Sequence, residues 1–258
     1  MKVVNFAKAM AFSLAAVMFI ASNGPKSWYF ERQGPGRPPT AQQEIDLARY
    51  SAYYLGNVEN KEIYLTFDEG YENGYTQRIL DTLLDKGIPA AFFVTKSYIK
   101  ENPDLIARMV DEGHVVGNHT VRHKSSPSLS YDELTAELTG VAEYFKEQTG
   151  HDIPPFFRPP MGEYDEQVLA CTRDAGYHTI FWSFAYKDWL QDDQPGADIA
   201  HKKVVEGLHN GAILLLHAVS SSNTDALAGI IDAAHAQGYE FKSLWDLPGV
   251  DNFGGGIL

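Results

Sequence analysis

The chain has 258 residues, of which 44% are hydrophobic, so it can form one large domain or two small ones around a substantial core. Its formal net charge is −13, and it contains no long run of Lys or Arg. Because nucleic acid phosphates require a basic surface, this balance argues against a nucleic acid partner. Cys171 is the only cysteine, which excludes an intramolecular disulfide.

The N-terminus carries a candidate export signal. Lys2 and Lys8 accompany the start of an apolar run from residue 9 to residue 21. A charged start before such a run is typical of a signal peptide, and the run is shorter than the about 20 residues of a spanning helix. No clean Ala-x-Ala motif follows, so residues 1–21 are either cleaved or kept as a weak anchor with loose membrane association. We therefore expect an exported protein of the cell wall or membrane surface.

The remaining chain divides into three predicted parts. Residues 22–60 begin with a stretch rich in Gly and Pro and form a linker and N-terminal strap. Within this part, a short helix is predicted over residues 42–53. The main domain spans residues 61–248, and residues 249–258 form a C-terminal tail.

From residue 62 onward, apolar strand-like runs alternate with helix-like segments. Seven strands are predicted at residues 62–67, 90–95, 114–119, 156–160, 179–184, 212–217 and 240–244. Six helices are predicted at residues 75–87, 103–113, 131–150, 164–176, 198–211 and 224–238. This alternation specifies parallel βα units, which either a β/α barrel or a doubly wound sheet satisfies. In both folds the functional residues gather at the C-terminal ends of the strands.

Two neighbouring carboxylates, Asp68 and Glu69, follow the first of these strands. Like charges at this distance disfavour each other unless a cation or a proton lies between them. A solvated turn is the simpler interpretation of such an acidic pair. A cation site becomes the better interpretation only if metal ligands follow other strands.

A pair of histidines at the end of another strand supplies such ligands. His119 and His123 are spaced i, i+4, which on a helical turn places both imidazoles on one face. Two imidazoles and one carboxylate would hold a divalent ion and leave one position open for water. His217, which ends a strand, could then donate a proton to a leaving group. The pattern predicts a metal-assisted amide or ester hydrolase.

Five short motifs, in this order, resemble those of the NodB-homology polysaccharide deacetylase family between about residues 64 and 247. They read TFDEG, HTVRH, RPPMG, AYKDW and ILLLH, at residues 66–70, 119–123, 158–162, 185–189 and 213–217. The resemblance implies an α/β fold, a distorted seven-stranded (β/α) barrel with parallel strands. It also implies a divalent metal ion, and a site with two histidines and a carboxylate suits zinc or another late first-row metal.

The resemblance assigns roles to nine residues of this sequence. It implies that Asp68 is the general base, that His217 is the general acid and that Arg158 orients the base. The metal ligands it implies are His119, His123 and Glu69. The substrate contacts it implies are Pro160, Trp189 and Tyr71.

Two positions depart from the family pattern. Glu69 stands where the family has a second Asp, so a carboxylate remains but is one methylene longer. Ala185 stands where the fourth motif begins with Asp. We therefore expect Arg158 and His217 to lose a charged partner.

The stretches around residues 53–76, 181–189 and 214–227 resemble more closely the delta-lactam-biosynthetic de-N-acetylases of spore-forming bacteria. This implies removal of acetyl from N-acetylmuramic acid in peptidoglycan glycan strands, after which the amine can close on the lactyl carboxylate to give the muramic lactam of spore cortex. One alternative is a deacetylase of N-acetylglucosamine in peptidoglycan or chitin-like oligomers. Another is an exported glycan-binding protein without catalysis, and the sequence predicts no oligomeric state.

Overall fold

A computed structural model describes residues 24–41 and 45–250. The candidate export signal at residues 1–21 lies outside these described residues. In the part of the chain that the structure describes, no helix is both long enough and apolar enough to cross a membrane.

Twelve strands and seven α-helices make up the described part of the chain. The strands are β1 Lys26–Ser27, β2 Phe30–Glu31, β3 Thr40–Ala41, β4 Ala52–Tyr53, β5 Glu62–Glu69, β6 Ala91–Val94, β7 Val115–Asn118, β8 Phe156–Phe157, β9 Glu163–Tyr164, β10 His178–Ile180, β11 Ala212–His217 and β12 Glu240–Phe241. The helices are α1 Thr76–Lys86, α2 Lys96–Glu101, α3 Pro103–Asp111, α4 Tyr131–Thr149, α5 Glu166–Asp174, α6 Ala197–Gly207 and α7 Ser221–Ala236.

One curled sheet of eight strands forms the centre of the fold. Its order is β11-β5-β6-β7-β8-β10-β4, with β12 paired to the start of β5. Every pair in this sheet is parallel. An isolated bridge between Phe184 and Leu214 links the segment after β10 to β11, so the sheet curls back on itself. The predicted parallel β/α barrel class is confirmed.

The eighth strand of the sheet arises where the sequence predicted a helix, at residues 42–53. Of this segment the structure describes residues 45–53, which form a 3-10 turn from Leu47 to Tyr50 and then β4. Ser51 ends the turn in the left-handed region, with φ 52°, and β4 then pairs with β10. The apolar residues Leu47 and Tyr50 are three apart, a spacing that a 3-10 turn and an α-helix share, which explains why the helix prediction was wrong.

The six other predicted helices are all present, with ends within a few residues of those expected. Helix α2, Lys96–Glu101, was not predicted. It has six residues, fewer than two helical turns, so it is too short for apolar periodicity to predict it. Its N-cap is Thr95, whose side chain accepts a hydrogen bond from the Tyr98 N–H at 3.2 Å. The helix therefore begins directly at the end of β6, beside the ends of the neighbouring strands.

Successive residues of a strand point to opposite faces, and this alternation divides the core in two. On β5, Tyr64 belongs to the cluster inside the curled sheet. Ile63, Leu65 and Phe67 belong to the cluster between the sheet and the helices. Asp68 has the same parity as Tyr64 and therefore points to the inside, at the C-terminal end of the strand. Strand β11 repeats this arrangement, with Ile213 inside and His217 at its end.

A glycine in β7 makes room for an aromatic ring inside the sheet. A Cβ atom on Gly117 would lie 2.6 Å from Cδ1 of Phe93, which is too close for any side chain. The guanidinium carbon of Arg158 lies 4.2 Å from the centre of this Phe93 ring. Gly117 thus allows the ring to support a buried arginine near the strand ends.

The N-terminal strap packs against the main domain. Strand β1 pairs antiparallel with β9, and the Trp28 ring stacks on Phe181 with 4.3 Å between centroids. The Trp28 indole N–H also donates to the Trp182 carbonyl at 2.8 Å. The described residues of the strap therefore contribute to the core of the domain predicted to begin at residue 61.

Candidate active site

A pocket of about 670 Å³ opens at the C-terminal ends of the strands. Six of the nine predicted site residues line it: Asp68, Tyr71, His119, His123, Trp189 and His217. Arg158 lies directly behind Asp68, whereas Glu69 and Pro160 do not line the pocket. The fold thus brings together side chains that are up to 149 positions apart in the sequence, from Asp68 to His217.

Asp68 is held by the guanidinium that was expected to orient it. Arg158 donates from Nη1 to Asp68 Oδ1 at 2.8 Å, and the second carboxylate oxygen lies 3.8 Å from His119 Nε2. Burial by itself would raise the pKa of Asp68. The Arg158 charge, followed by His119 and His217, more than offsets this, so the pKa of Asp68 lies below its ordinary value. Asp68 is therefore ionised at neutral pH, as a general base must be.

Arg158 is completely buried, and its surroundings fix its position. Its Nε donates to the Ile180 carbonyl at 2.9 Å, and its Nη2 donates to the Phe181 carbonyl at 3.4 Å. The Phe93 ring covers one face of the guanidinium. Since a buried cation is costly unless it is paired, the Asp68 carboxylate and this arginine stabilise each other.

His119 and His123 meet in the pocket, although not on the predicted helical turn. The segment after β7 is irregular, with Thr120 at φ 72° and His123 at φ 51°. Side chains bind its backbone instead of helical carbonyls: Asn118 Oδ1 accepts from Thr120 N at 3.0 Å, and Thr120 Oγ1 accepts from His123 N at 3.0 Å. The two imidazole centroids are 4.8 Å apart. The helix prediction was wrong because these local hydrogen bonds compete with helix formation.

The tautomer of His119 suits a metal ligand. Its Nδ1 lies 2.8 Å from the Arg158 carbonyl oxygen, which can only accept, so Nδ1 carries the proton and Nε2 has a free lone pair. Burial lowers the pKa of His119 to about 4, and burial also lowers the pKa of His123. Both imidazoles are therefore neutral at pH 7, the form that binds metals.

The donor chemistry at these two imidazoles fits a late first-row divalent ion, with the Asp68 carboxylate beside them. A complete set of metal ligands, however, is not formed by the described side chains. Within residues 24–41 and 45–250, no group of three or more His, Cys, Asp or Glu side chains is arranged to hold an ion. The pair His119 and His123 is thus the part of the predicted ligand set that the structure brings together.

Glu69 lies on the other face of β5. It has the same parity as Ile63, Leu65 and Phe67, which pack toward the helices, and its side chain is fully buried there. Neither carboxylate oxygen has a hydrogen-bond partner among the described residues. Burial, together with the charges of Glu72 and Asp68, raises the pKa of Glu69 well above its ordinary value. This placement does not support Glu69 as a metal ligand, because alternation along the strand turns it away from the pocket.

His217 retains a charged partner despite Ala185. Its Nδ1 lies 2.7 Å from Asp188 Oδ1, and its backbone N–H donates to Asp188 Oδ2 at 2.9 Å. Burial would lower the pKa of His217, but the hydrogen bond and charge of Asp188 outweigh it and raise the pKa above its ordinary value. The expected loss of a partner was therefore wrong for His217, and it was also wrong for Arg158, which pairs with Asp68.

The predicted substrate contacts divide into two groups. Trp189 and Tyr71 are 46% and 48% exposed at the rim of the pocket, and the Trp189 ring lies edge-on to His217 with 5.5 Å between centroids. Pro160, by contrast, is buried outside the pocket lining. The next residue, Met161, has φ 58°, and this left-handed turn directs its 56%-exposed side chain to the pocket instead. Pro160 does not line the pocket, so its position does not support a direct contact with substrate.

Three residues of the site were not among the predicted ones. Asp188 is fully buried beneath His217, and Asn223 Nδ2 donates to its Oδ2 at 2.5 Å. The signal for Asp188 was available, since it is the acid just before Trp189 at a strand end. Arg122 lines the pocket next to His123. No sequence signal singles out Asn223 or Arg122, because their positions depend on contacts between distant segments.

An ionised carboxylate fixed by a buried arginine, two neutral imidazoles and one carboxylate-bound imidazole share a pocket at the ends of parallel strands. This fold and site define a hydrolase of the polysaccharide deacetylase class. The chain matches the family described as "Polysaccharide deacetylase" over residues 55–180.

Comparison with individual proteins shows which members of this class the chain is similar to. It is 43% identical to the peptidoglycan-N-acetylmuramic acid deacetylase PdaA of Bacillus subtilis, over 87% of this chain and 86% of that protein. It is 31% identical to a peptidoglycan-N-acetylglucosamine deacetylase of Bacillus cereus, over 80% of this chain and 96% of that protein. The solved structure of Bacillus subtilis PdaA, a family 4 carbohydrate esterase, superposes with a TM-score of 0.84 and covers 86% of this chain and 96% of that one.

The chain therefore belongs to the polysaccharide deacetylase family. The predicted activity of a hydrolytic N-deacetylase is confirmed by these relatives. Carbohydrate esterases of family 4 are in general metalloenzymes, in agreement with the two neutral imidazoles in the pocket.

Proposed function

We propose that this chain removes the N-acetyl group from N-acetylmuramic acid residues of peptidoglycan glycan strands. The proposal rests on the position of Asp68. This ionised carboxylate shares one pocket with the neutral imidazole of His119 and with the imidazole of His217, whose pKa is raised. The 43% identity with a deacetylase named for N-acetylmuramic acid supports the choice of sugar. The reaction converts the N-acetyl amide and water into acetate and a free amine.

The residues of the pocket divide the proton transfers between them. Asp68 is ionised and accepts a proton from the attacking water, while Arg158 holds its carboxylate in place. The oxygen of that water adds to the amide carbon, and the C–N bond then breaks. His217 has a raised pKa and donates its proton to the departing amine nitrogen. Each proton thus has a donor and an acceptor within the pocket.

His119 and His123 would hold a divalent ion, and zinc suits their nitrogen ligands. When bound, such an ion supplies a water of lowered pKa and polarises a carbonyl oxygen. The backbone carbonyl of Arg158 fixes the His119 tautomer, so the residue that orients the base also orients one ligand. The base and the ligand His119 are therefore both positioned by a single buried arginine.

The rim of the pocket suits a sugar ring. Trp189 and Tyr71 expose aromatic faces there, and the Gln191 amide donates to the Tyr71 hydroxyl at 3.0 Å. Aromatic faces next to hydrogen-bonding groups are typical of small-molecule sites. The candidate export signal at residues 1–21 would deliver the protein to peptidoglycan, outside the cytoplasm, where its peptidoglycan-acting relatives work. The freed amine can then close on the lactyl carboxylate to give muramic lactam.

A second candidate substrate is N-acetylglucosamine, because a relative named for that sugar is 31% identical over most of its length. The decisive experiment incubates the metal-loaded protein with peptide-free and peptide-bearing glycan strands and with N-acetylglucosamine oligomers. Mass spectrometry of the digested products should find new amines on muramic acid. Amines confined to glucosamine would favour the second candidate, and no acetate from any glycan would contradict deacetylation altogether.

A further inference from the structure

The catalytic pocket contains one permanent cation that the proposed chemistry does not use. Among the described residues that line it, Arg122 is the only lysine or arginine. The other permanent cation nearby, Arg158, is completely buried and paired with Asp68. The chain has 34 acidic and 21 basic residues, and Arg122 is the basic residue that it places at the wall of this pocket.

The structure fixes one edge of the Arg122 guanidinium. Its Nε donates to Oε1 of Glu137, whose side chain is only 2% exposed. The other carboxylate oxygen of Glu137 accepts from the backbone N–H groups of Val121 and Arg122, each at 2.8 Å. Helix α4 thus anchors the loop between His119 and His123 through one carboxylate. Three hydrogen bonds to a buried acid position this loop, so Arg122 does not move as a free surface side chain.

The other edge of the guanidinium is available. The Arg122 side chain is 53% exposed, and its terminal Nη groups form no hydrogen bond within the described residues. A guanidinium offers five N–H donors in a planar fork that matches the two oxygens of a carboxylate. With Nε bound to Glu137, the terminal nitrogens remain to bind an anion in the pocket. Arg122 is also next in the chain to His123, so this anion would lie beside the reacting amide.

We propose that Arg122 binds the free lactyl carboxylate of N-acetylmuramic acid and makes the pocket prefer this sugar. This inference rests on the proposed deacetylase function. The lactyl ether is attached to the ring carbon next to the one that carries the acetamido group, so an acetamido group at the catalytic residues brings the carboxylate to the adjoining wall. N-acetylglucosamine has a hydroxyl at that position, and a peptide-bearing muramic acid has a neutral amide. A charge-assisted pair is stronger than a hydrogen bond to either neutral group.

The test compares three substrates: peptide-free strands with free lactyl carboxylates, the same strands with these carboxylates converted to amides, and N-acetylglucosamine oligomers. The variants are Arg122→Gln and Arg122→Lys, measured as metal-loaded full-length protein. We expect Arg122→Gln to lower kcat/KM for carboxylate strands relative to amidated strands by roughly 10- to 100-fold, mainly through KM. Arg122→Lys keeps the charge without the fork and should recover part of this preference.

A matched control is Arg78→Gln, since Arg78 is 56% exposed, pairs with Asp225 and lies outside the pocket. This variant should keep the wild-type preference. A second readout uses the inactive background Asp68→Asn, in which intrinsic tryptophan fluorescence reports binding of carboxylate and amidated strands without turnover, since Trp182 and Trp189 both line the pocket. Arg122→Gln in this background should remove the difference in Kd between the two strands.

Two results would overturn the assignment. An equal loss on all three substrates would mean that Arg122 only supports the loop through Glu137. An unchanged preference in Arg122→Gln would show that no carboxylate contacts this residue. Failure of the proposed function would look different, because the wild-type protein would then release no acetate from muramic acid at all.

Discussion

The two walls of the pocket present the same side chain in opposite electrostatic surroundings. On one wall, His119 gives its Nδ1 proton to a backbone carbonyl, and burial lowers its pKa to about 4. On the other wall, His217 gives its Nδ1 proton to the buried carboxylate of Asp188, and its pKa is raised. The His119 side chain is 2% exposed and the His217 side chain is 22% exposed, but burial lowers the pKa of both imidazoles, so burial alone does not explain the opposite directions. The acceptor at Nδ1 determines the direction of the pKa shift. A neutral carbonyl acceptor keeps the imidazole neutral and suited to bind a metal, whereas a charged carboxylate acceptor stabilises the protonated imidazole, which can donate a proton.

Asp68 faces both walls, and its replacement should have the largest effect. We expect Asp68→Asn to lower kcat by about 10²- to 10⁴-fold, because the amide cannot take the proton of water. Its remaining oxygen can still accept from Arg158, so the protein should fold. Acetate release measures the activity, and circular dichroism during heating checks the fold.

The control is Asp81→Asn, which changes an acid that is 58% exposed and pairs with Arg108 far from the pocket. It should keep wild-type activity. Near-normal deacetylation by Asp68→Asn would remove Asp68 from the mechanism.

The ligand wall can be tested without measuring turnover. His123→Gln should reduce the bound divalent metal from about one ion per chain to near zero, because one imidazole is too few to retain it. Glu69→Gln should leave the metal content unchanged, because Glu69 faces the helices. Elemental analysis after gel filtration gives both values. Loss of metal in Glu69→Gln would instead make Glu69 a ligand, as the family resemblance implied.

The acid wall should respond to Asp188→Asn. Without the carboxylate, the pKa of His217 falls, so the imidazole loses its proton at a lower pH. Activity that needs protonated His217 declines above this pKa, so the alkaline limb of the kcat/KM profile should move to lower pH. At neutral pH the rate should fall by about 10-fold or more. An alkaline limb at the wild-type position would show that Asp188 does not control the proton donor.

The smallest effect concerns stability and the face of β5 opposite the pocket. The folded pKa of Glu69 is raised, so its contribution to stability is complete below the ordinary glutamate pKa and is lost as pH rises toward the folded value. Glu69→Gln does not ionise and avoids this loss. We expect its Tm to exceed that of the wild type by about 2–5 °C near pH 7, with a smaller difference near pH 4. Scanning calorimetry at both pH values provides the comparison, and an equal difference at both would exclude ionisation as the cause.

The sequence predicted most of the fold because its signals are local. Apolar runs, helix periodicity and their alternation identified seven strands of the curled sheet and six helices. The failures occurred where local signals were short or ambiguous. Leu47 and Tyr50 fit either a 3-10 turn or an α-helix, and α2 is too short for a periodic pattern. Strand β4 has two residues and gains its identity from pairing with β10.

The candidate site was predicted in part for the same reason. The rule that functional residues end parallel strands located Asp68, His119 and His217 in one pocket. The motif resemblance could not show whether Glu69 binds the metal. A motif gives the type of residue at a position, whereas alternation along the strand determines which face of the sheet its side chain occupies. The rule about strand ends also could not pair His217 with Asp188, because the loop that carries Asp188 takes its position in part from Asn223 on the distant helix α7.

The sequence by itself determined which side chains exist at the strand ends and that the strands run parallel, since both follow from order and periodicity along the chain. Only the tertiary structure decided how those side chains are used. The partner at each imidazole Nδ1, the burial of the Glu69 side chain and the exposed edge of Arg122 all depend on atoms brought together from remote positions. Hydrogen bonds and burial at those contacts set the charge of each group, and no local pattern records them.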